Sequence, residues 1–161
     1  MLILLIAQFF HLELRGGGGV PRADTLKVDL VQMPEISDQL DLHGAESKLW
    51  SIHRLRYLNN IVVAVEEILI DHRRCSSLNA QELHESLYMH YRENFDFWIG
   101  RVEDKIDCGP APDWASELLN IPAGTVIGRV ERKRWSNSNR VEEFSRIWFN
   151  PVQCQYFSRW S

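Results

Sequence analysis

His53-Arg54-Leu55-Arg56-Tyr57 and Glu131-Arg132-Lys133-Arg134-Trp135 are two versions of one strand, 78 residues apart. Each carries arginines at i and i+2, so both guanidinium groups of a pair project from the same side of a sheet. Each is followed by a turn and a return strand bearing a glutamate: Glu66 after Asn59-Asn60, and Glu143 after Ser136-Asn137-Ser138-Asn139. The likeness continues upstream, where Asp38-Gln39-Leu40-Asp41-Leu42-His43-Gly44 resembles Ser116-Glu117-Leu118-Leu119-Asn120-Ile121-Pro122-Ala123-Gly124. Both copies read helix, strand, Arg-x-Arg-aromatic, turn, strand, glutamate, and self-similarity at a fixed period marks an internal duplication.

The segments around these motifs alternate between strand and helix. Thr25 to Val31 alternates apolar and polar side chains with period two, the pattern of a half-buried strand. A short helix is expected from Ser37 to Leu42, then a hairpin of Lys48–Leu58 and Ile61–Ile70 around Asn59-Asn60, residues that tolerate tight-turn conformations. Leu83, Leu87, Tyr91 and Phe95 recur every four residues, which predicts one amphipathic helix over Leu78–Asn94. A strand from Asp96 to Cys108, a short helix from Trp114 to Leu119 and a second hairpin of Thr125–Trp135 and Arg140–Asn150 complete the chain. Short turns between strands argue for an α+β fold: an antiparallel β-sheet with helices packed on it, internally duplicated.

Composition narrows the function. The chain has 161 residues, 45% of them hydrophobic and 25% charged, as expected of one compact domain with a single core. A formal net charge of −4 gives no positive field to hold a phosphate backbone, which argues against direct nucleic-acid binding by these residues. Cys75, Cys108 and Cys154 lie outside any metal-binding spacing and read as unpaired thiols of a reducing cytoplasm. The apolar opening Met1 to Phe10 is too short to span a bilayer and lacks the basic start of a secretory signal. Gly16 to Gly19, followed by Val20-Pro21, breaks any regular element, so residues 1–19 read as a leader or linker and 20–161 as the domain proper. No metal, cofactor or membrane partner is expected; His84-Glu85 and His90 lack the spacing of a zinc motif.

Paired guanidinium forks suit a carboxylate or phosphate, because each donates two parallel charge-assisted hydrogen bonds. Glu66 shares the face of Arg54 if residues 59–61 form an odd-length loop, whereas a strict two-residue turn puts Glu66 opposite His53. The alternative reading of all these charges is a set of exposed cross-strand ion pairs of little energetic consequence.

The order of these motifs resembles the effector-binding (UTRA, chorismate-lyase-like) domain of GntR-family regulators of the HutC subfamily. The likeness covers roughly residues 20–150. It rests on Arg54-Leu55-Arg56-Tyr57, Ala64-Val65-Glu66, Glu85-Ser86-Leu87-Tyr88, Ala115 to Thr125, Arg132-Lys133-Arg134-Trp135 and Val141-Glu142-Glu143-Phe144-Ser145. The resemblance implies that Arg54, Arg56 and Ser86 grip the acidic group of an effector, with Glu66, Tyr88 and Glu143 around the rest. Phe149 falls where family members often carry a tyrosine, and Phe10 or His11 aligns with the pocket wall. Ser86 also makes sense alone, since a hydroxyl at a helix start sits where the dipole favours an anion.

The same resemblance implies a cytoplasmic homodimer that senses a small acidic metabolite, a carboxylate, phosphate or phosphonate. DNA contact is then expected only through a winged helix-turn-helix domain, to which nothing in this sequence is similar. Two other readings stay open: a chorismate-lyase-like enzyme that releases pyruvate, and a stand-alone dimerisation module.

Overall fold

A computed structural model describes residues 11–42, 48–75, 77–79 and 99–159. In chain order its elements are β1 (Leu12–Leu14), β2 (Pro21–Val31), α1 (Pro34–Ser37) running into a 3-10 turn (Asp38–Leu40), β3 (Leu49–Leu58), β4 (Ile61–Asp71), a second 3-10 turn (His72–Arg74), β5 (Ile99–Pro110), α2 (Asp113–Ser116), β6 (Val126–Ser136), β7 (Val141–Phe149) and β8 (Cys154–Tyr156). Six strands form one antiparallel sheet in the order β2-β3-β4-β7-β6-β5, and β1 pairs with β8 in a separate ribbon. The α+β antiparallel architecture is the one the strand and turn pattern implies.

The duplication is visible in the topology. Strand, short helix and hairpin occur twice, as β2-α1-β3-β4 and β5-α2-β6-β7, and the copies join edge to edge through β4 and β7. Details repeat at the level of single hydrogen bonds. Leu42 N donates to Ser37 O at 2.9 Å and Ile121 N to Ser116 O at 3.0 Å, each after a left-handed residue, Asp41 or Asn120. The two serines are therefore equivalent, one residue upstream of where the sequence likeness aligned Asp38 with Ser116. The first helix starts at Pro34 rather than at Ser37, because proline at the first helical position has a preset φ and no N–H to leave unsatisfied.

Both hairpins also carry a bulge at the same place. The Asn59-Asn60 turn has two residues, both with positive φ, and pairs Leu58 with Ile61 and Tyr57 with Val62. The next pair is Arg56 with Ala64, leaving Val63 as an extra residue; in the second copy Trp135 pairs with Val141 and Arg134 with Glu143, leaving Glu142. The hairpin thus turns at Asn59-Asn60 as expected, and a bulge takes the place of an odd-length loop over 59–61 in setting Arg54 opposite Glu66.

Paired residues of an antiparallel sheet share a face. One face is covered by the short helices: Ile36 and Leu40 pack with Leu49, Leu69 and Phe144, while Ala115 and Leu119 pack with Leu55, Val65 and Trp148. On the opposite face the β1/β8 ribbon contributes Leu12 and Cys154 to a cluster with Leu58, Val63, Val130, Ile147 and Phe149. Ile52, Ile68, Ile70 and Cys75 form a second cluster there. Leu12–Leu14, expected to belong to a leader, is instead part of the packed fold, because its pairing with β8 and the 5% exposure of Leu12 draw it across the glycine run. The helix expected over Leu78–Asn94 falls almost wholly outside the described residues, with Ser86 and Tyr88. Among the described residues no helix is long and apolar enough to cross a membrane.

Candidate functional site

The face bearing the ribbon carries a buried charged band. On β3, Arg54 and Arg56 lie between the core residues Ile52 and Leu58, an alternation that puts all four side chains on one side. Across the ladder Arg54 faces Glu66, and in the second copy Arg134 faces Glu143 and Arg132 faces Ser145. Arg54, Glu66, Arg132, Arg134 and Glu143 are each no more than 5% exposed. Isolated charges at such depth would cost several kcal/mol each, so the band holds only because opposite charges meet within it.

They meet in specific pairs. Arg56 Nη1 donates to Glu66 Oε2 at 2.8 Å, a diagonal contact two residues along β3 from the ladder partner Arg54. Arg134 is ion-paired with Glu143, and its Nη1 also donates to Ser145 Oγ at 3.4 Å. Arg132 holds Asp104 of β5 through two bonds, at 2.5 and 2.7 Å. Burial pushes the Glu66 carboxyl up, but the guanidinium groups of Arg56, Arg54 and Arg134 outweigh it and hold its pKa at about 2. Glu66 thus feels arginines from both copies, and the two Arg-x-Arg motifs serve one continuous site.

The ribbon closes one end of this band. Tyr156 Oη donates to Asp104 Oδ2 at 2.6 Å, and the His11 ring stacks on Tyr156 with centroids 5.5 Å apart. Burial, then the charge of Arg132, lowers the His11 pKa, which favours the neutral ring. Phe149 lies on the same face, paired with Ala64 and Gly128, with its ring pressed against the glycine backbone. It packs in the apolar cluster beneath the ribbon rather than among the charges.

Of the residues singled out from sequence, Arg54, Arg56, Glu66 and Glu143 come together, Phe149 sits beside them, and Ser86, Tyr88 and Phe10 lie outside the described residues. Arg132, Arg134, Asp104, Ser145 and Tyr156 are further members of the site. The repeat already pointed to the two arginines; Asp104 and Tyr156 carry no signal of their own, since both reach the band through distant pairing.

Cross-strand ion pairs are not confined to the exposed surface: the band is built of buried ones, and on the helix-covered face the buried Glu67 pairs with Arg146 and lies 3.3 Å from His53 Nε2, while His53 stacks on Trp114 with centroids 4.2 Å apart. Arg74, from the turn after β4, clamps the bulge residue Glu142 through two bonds at 2.7 and 2.9 Å. Among the described residues no cluster of three or more histidines, cysteines or carboxylates is placed to hold a metal ion.

Known proteins resemble this chain in sequence and in fold. The UTRA domain family matches residues 16–153. The chain is 36% identical over 154 residues to the HTH-type transcriptional regulator SmoD of Agrobacterium fabrum, covering 96% of this chain and 64% of SmoD. It is 23% identical over 123 residues to the HTH-type transcriptional regulator YydK of Bacillus subtilis, covering 76% of this chain and 52% of that protein. It therefore spans about half to two thirds of the relatives it matches. Among solved structures, the ligand-binding domain of a protein assigned to the GntR family of transcriptional regulators, from Bordetella bronchiseptica, superposes with a TM-score of 0.85 at 19% identity, covering 95% of this chain and 98% of that one. PhnF from Mycobacterium smegmatis superposes with a TM-score of 0.76 at 15% identity, covering 88% of this chain and 63% of that one.

Proposed function

This chain belongs to the UTRA domain family, and from that premise we propose that it is the ligand-sensing domain of a GntR-type transcriptional regulator of the HutC kind, binding a small acidic metabolite. The observation that carries this reading is the buried band, in which, among the described residues, Arg54, Arg56, Arg132 and Arg134 gather with Glu66, Glu143 and Asp104 on one side of the sheet. Guanidinium forks held in a site of low dielectric favour a carboxylate or an oxyanion of phosphorus.

In this reading Arg54 and Arg56, with Ser86, take the acidic group, while Glu66, Tyr88 and Glu143 surround the rest and Phe149 supports the wall. Binding orders the surrounding segments, and the domain acts in a cytoplasmic homodimer that passes this change to a winged helix-turn-helix domain on the DNA. Such coupling requires the effector to bind the two states of the regulator unequally.

The test is thermal unfolding of the purified chain with urocanate, sugar phosphates, alkylphosphonates and chorismate, repeated with Arg54→Ala and Arg56→Lys. One class of compound is expected to raise Tm in the wild type and to lose its effect in both variants. A ligand at about 100 times its Kd adds roughly 2.7 kcal/mol. Silence across the panel would count against an acidic effector, and release of pyruvate from chorismate would make the chain an enzyme.

A further inference from the structure

The six-stranded sheet ends in two edges, β2 and β5, which are not alike. Strand β2 is interrupted, because a bulge between Thr25 and Lys27 takes Leu26 out of its ladder with β3. A bulge of this kind twists an edge away from further pairing. Strand β5 runs without a break from Arg101 to Pro110 against β6, and its outer side meets no strand among the described residues. Arg101, Glu103, Lys105, Ile106 and Asp107 are all exposed, Ile106 by 51%.

The order of charges along this edge is its own complement. When Arg101-Val102-Glu103-Asp104-Lys105-Ile106-Asp107 is read backwards, every charge except that of Asp104 changes sign and the two apolar residues exchange places. Two β5 strands set antiparallel about a twofold axis at Asp104 therefore bring Arg101 against Asp107, Val102 against Ile106 and Glu103 against Lys105, each twice. Opposite charges facing one another across strands attract and like charges repel. The neighbouring registers lose the match: an axis at Glu103 sets Arg101 against Lys105, and an axis at Lys105 sets Glu103 against Asp107. Asp104 meets its own copy in the matching register, but its side chain is only 10% exposed and its carboxylate is held within the chain by Arg132 and Tyr156.

We propose that β5 is a dimer interface, at which a second copy of this chain adds its own β5 with the twofold axis at Asp104, so that two six-stranded sheets become one continuous sheet. The placement rests on the homodimer proposed above. Cys108 lies beyond the last of these pairs, opposite Gly100 of the second copy, which has no side chain to cover it.

Analytical ultracentrifugation of the purified chain over a micromolar concentration series tests it, with thermal unfolding alongside to show that each variant is folded. The wild type is expected to dimerise. Lys105→Glu sets like charges against Glu103 of the second copy, and Ile106→Lys places a charge against Val102; each is expected to weaken the dimer by about tenfold or more. The exchange Glu103→Lys/Lys105→Glu is expected to restore a dissociation constant close to that of the wild type. Inside one chain the exchange sets lysine against Lys133 and glutamate against Glu131, so recovery arises only across the interface. A dimer that survives Lys105→Glu and Ile106→Lys, or an exchange no better than Lys105→Glu alone, overturns the placement at β5 and leaves the homodimer standing. A wild type that stays monomeric throughout overturns both.

Discussion

Arg54 and Glu66 stand directly opposite each other on β3 and β4 although the turn between their strands has two residues, because Val63 is an extra residue on β4. Without that bulge the pairing slips by one, and a one-residue slip moves a side chain to the other face. The same device in the second copy sets Arg134 opposite Glu143. The bulges, rather than the turns, assemble the charged band.

Deleting Val63 should leave the band paired. With the extra residue gone, Ala64 follows Val62 directly and still meets Arg56, so Glu66 still meets Arg54 across the two-residue turn. The expected loss in urea is that of one buried valine, about 1.5–3 kcal/mol. A loss of about 3–5 kcal/mol or more, the cost of taking one partner from a buried ion pair, would show that the deletion breaks the register.

Glu66 makes the domain acid-sensitive. Its carboxyl titrates at about 2 in the folded state against an ordinary 4.5. The folded state thus binds fewer protons than the unfolded one between those values. The stabilisation, about 3 kcal/mol by linkage, is complete above pH 4.5 and drains away as pH falls toward 2. In Glu66→Gln the urea-unfolding free energy should be lower at neutral pH and should lose part of its slope in that acid window; an unchanged slope would assign the titration to other carboxylates.

Gly128 is required by Phe149. A Cβ at this position would fall within the aromatic ring, so Gly128→Ala forces a shift in a packed cluster, with an expected loss of about 1–3 kcal/mol. Adding Phe149→Leu should recover part of the loss in the same denaturation experiment, because a smaller side chain vacates the space. Equal loss in both backgrounds would place the strain elsewhere.

Arg74 and Glu142 offer a double-mutant cycle. The Glu142 side chain is fully buried and Arg74 clamps it, so Arg74→Met should cost about 3–5 kcal/mol, and Arg74→Met/Glu142→Leu less than the single change. Additive losses would show that the clamp contributes little to the stability of the bulge.

Thiol chemistry should separate the three cysteines. Burial pushes Cys75 and Cys154 up to about 12, whereas Cys108 on the edge strand β5 is exposed. An aromatic disulfide reagent at neutral pH should label Cys108 quickly and the other two only on unfolding. Rapid labelling of Cys154 would mean that the ribbon opens readily.

Much of the architecture was legible along the chain. The period-two runs on either side of Asn59-Asn60 announced a hairpin, and the second Arg-x-Arg announced that the hairpin comes twice. Less legible was the packing role of Leu12–Leu14, because its partner Cys154–Tyr156 lies at the far end of the chain and the intervening glycines look like a boundary. Arg132 and Arg134 were in plain view as repeat residues, yet their part in the band follows only from β4 and β7 lying side by side.

By itself the sequence determined which residues alternate, where turns fall and that one unit is used twice, because hydrophobic period and turn chemistry act over a few neighbouring residues. Only the tertiary structure decided which arginine meets which acid. That outcome depends on bulges at Leu26, Val63 and Glu142 and on the order in which the strands join, and each of these reflects packing between segments far apart in the chain. Arg54 between Thr25 and Glu66, and Arg132 between Asp104 and Ser145, are the clearest instance: equivalent arginines of one repeat that meet their acid from opposite neighbouring strands.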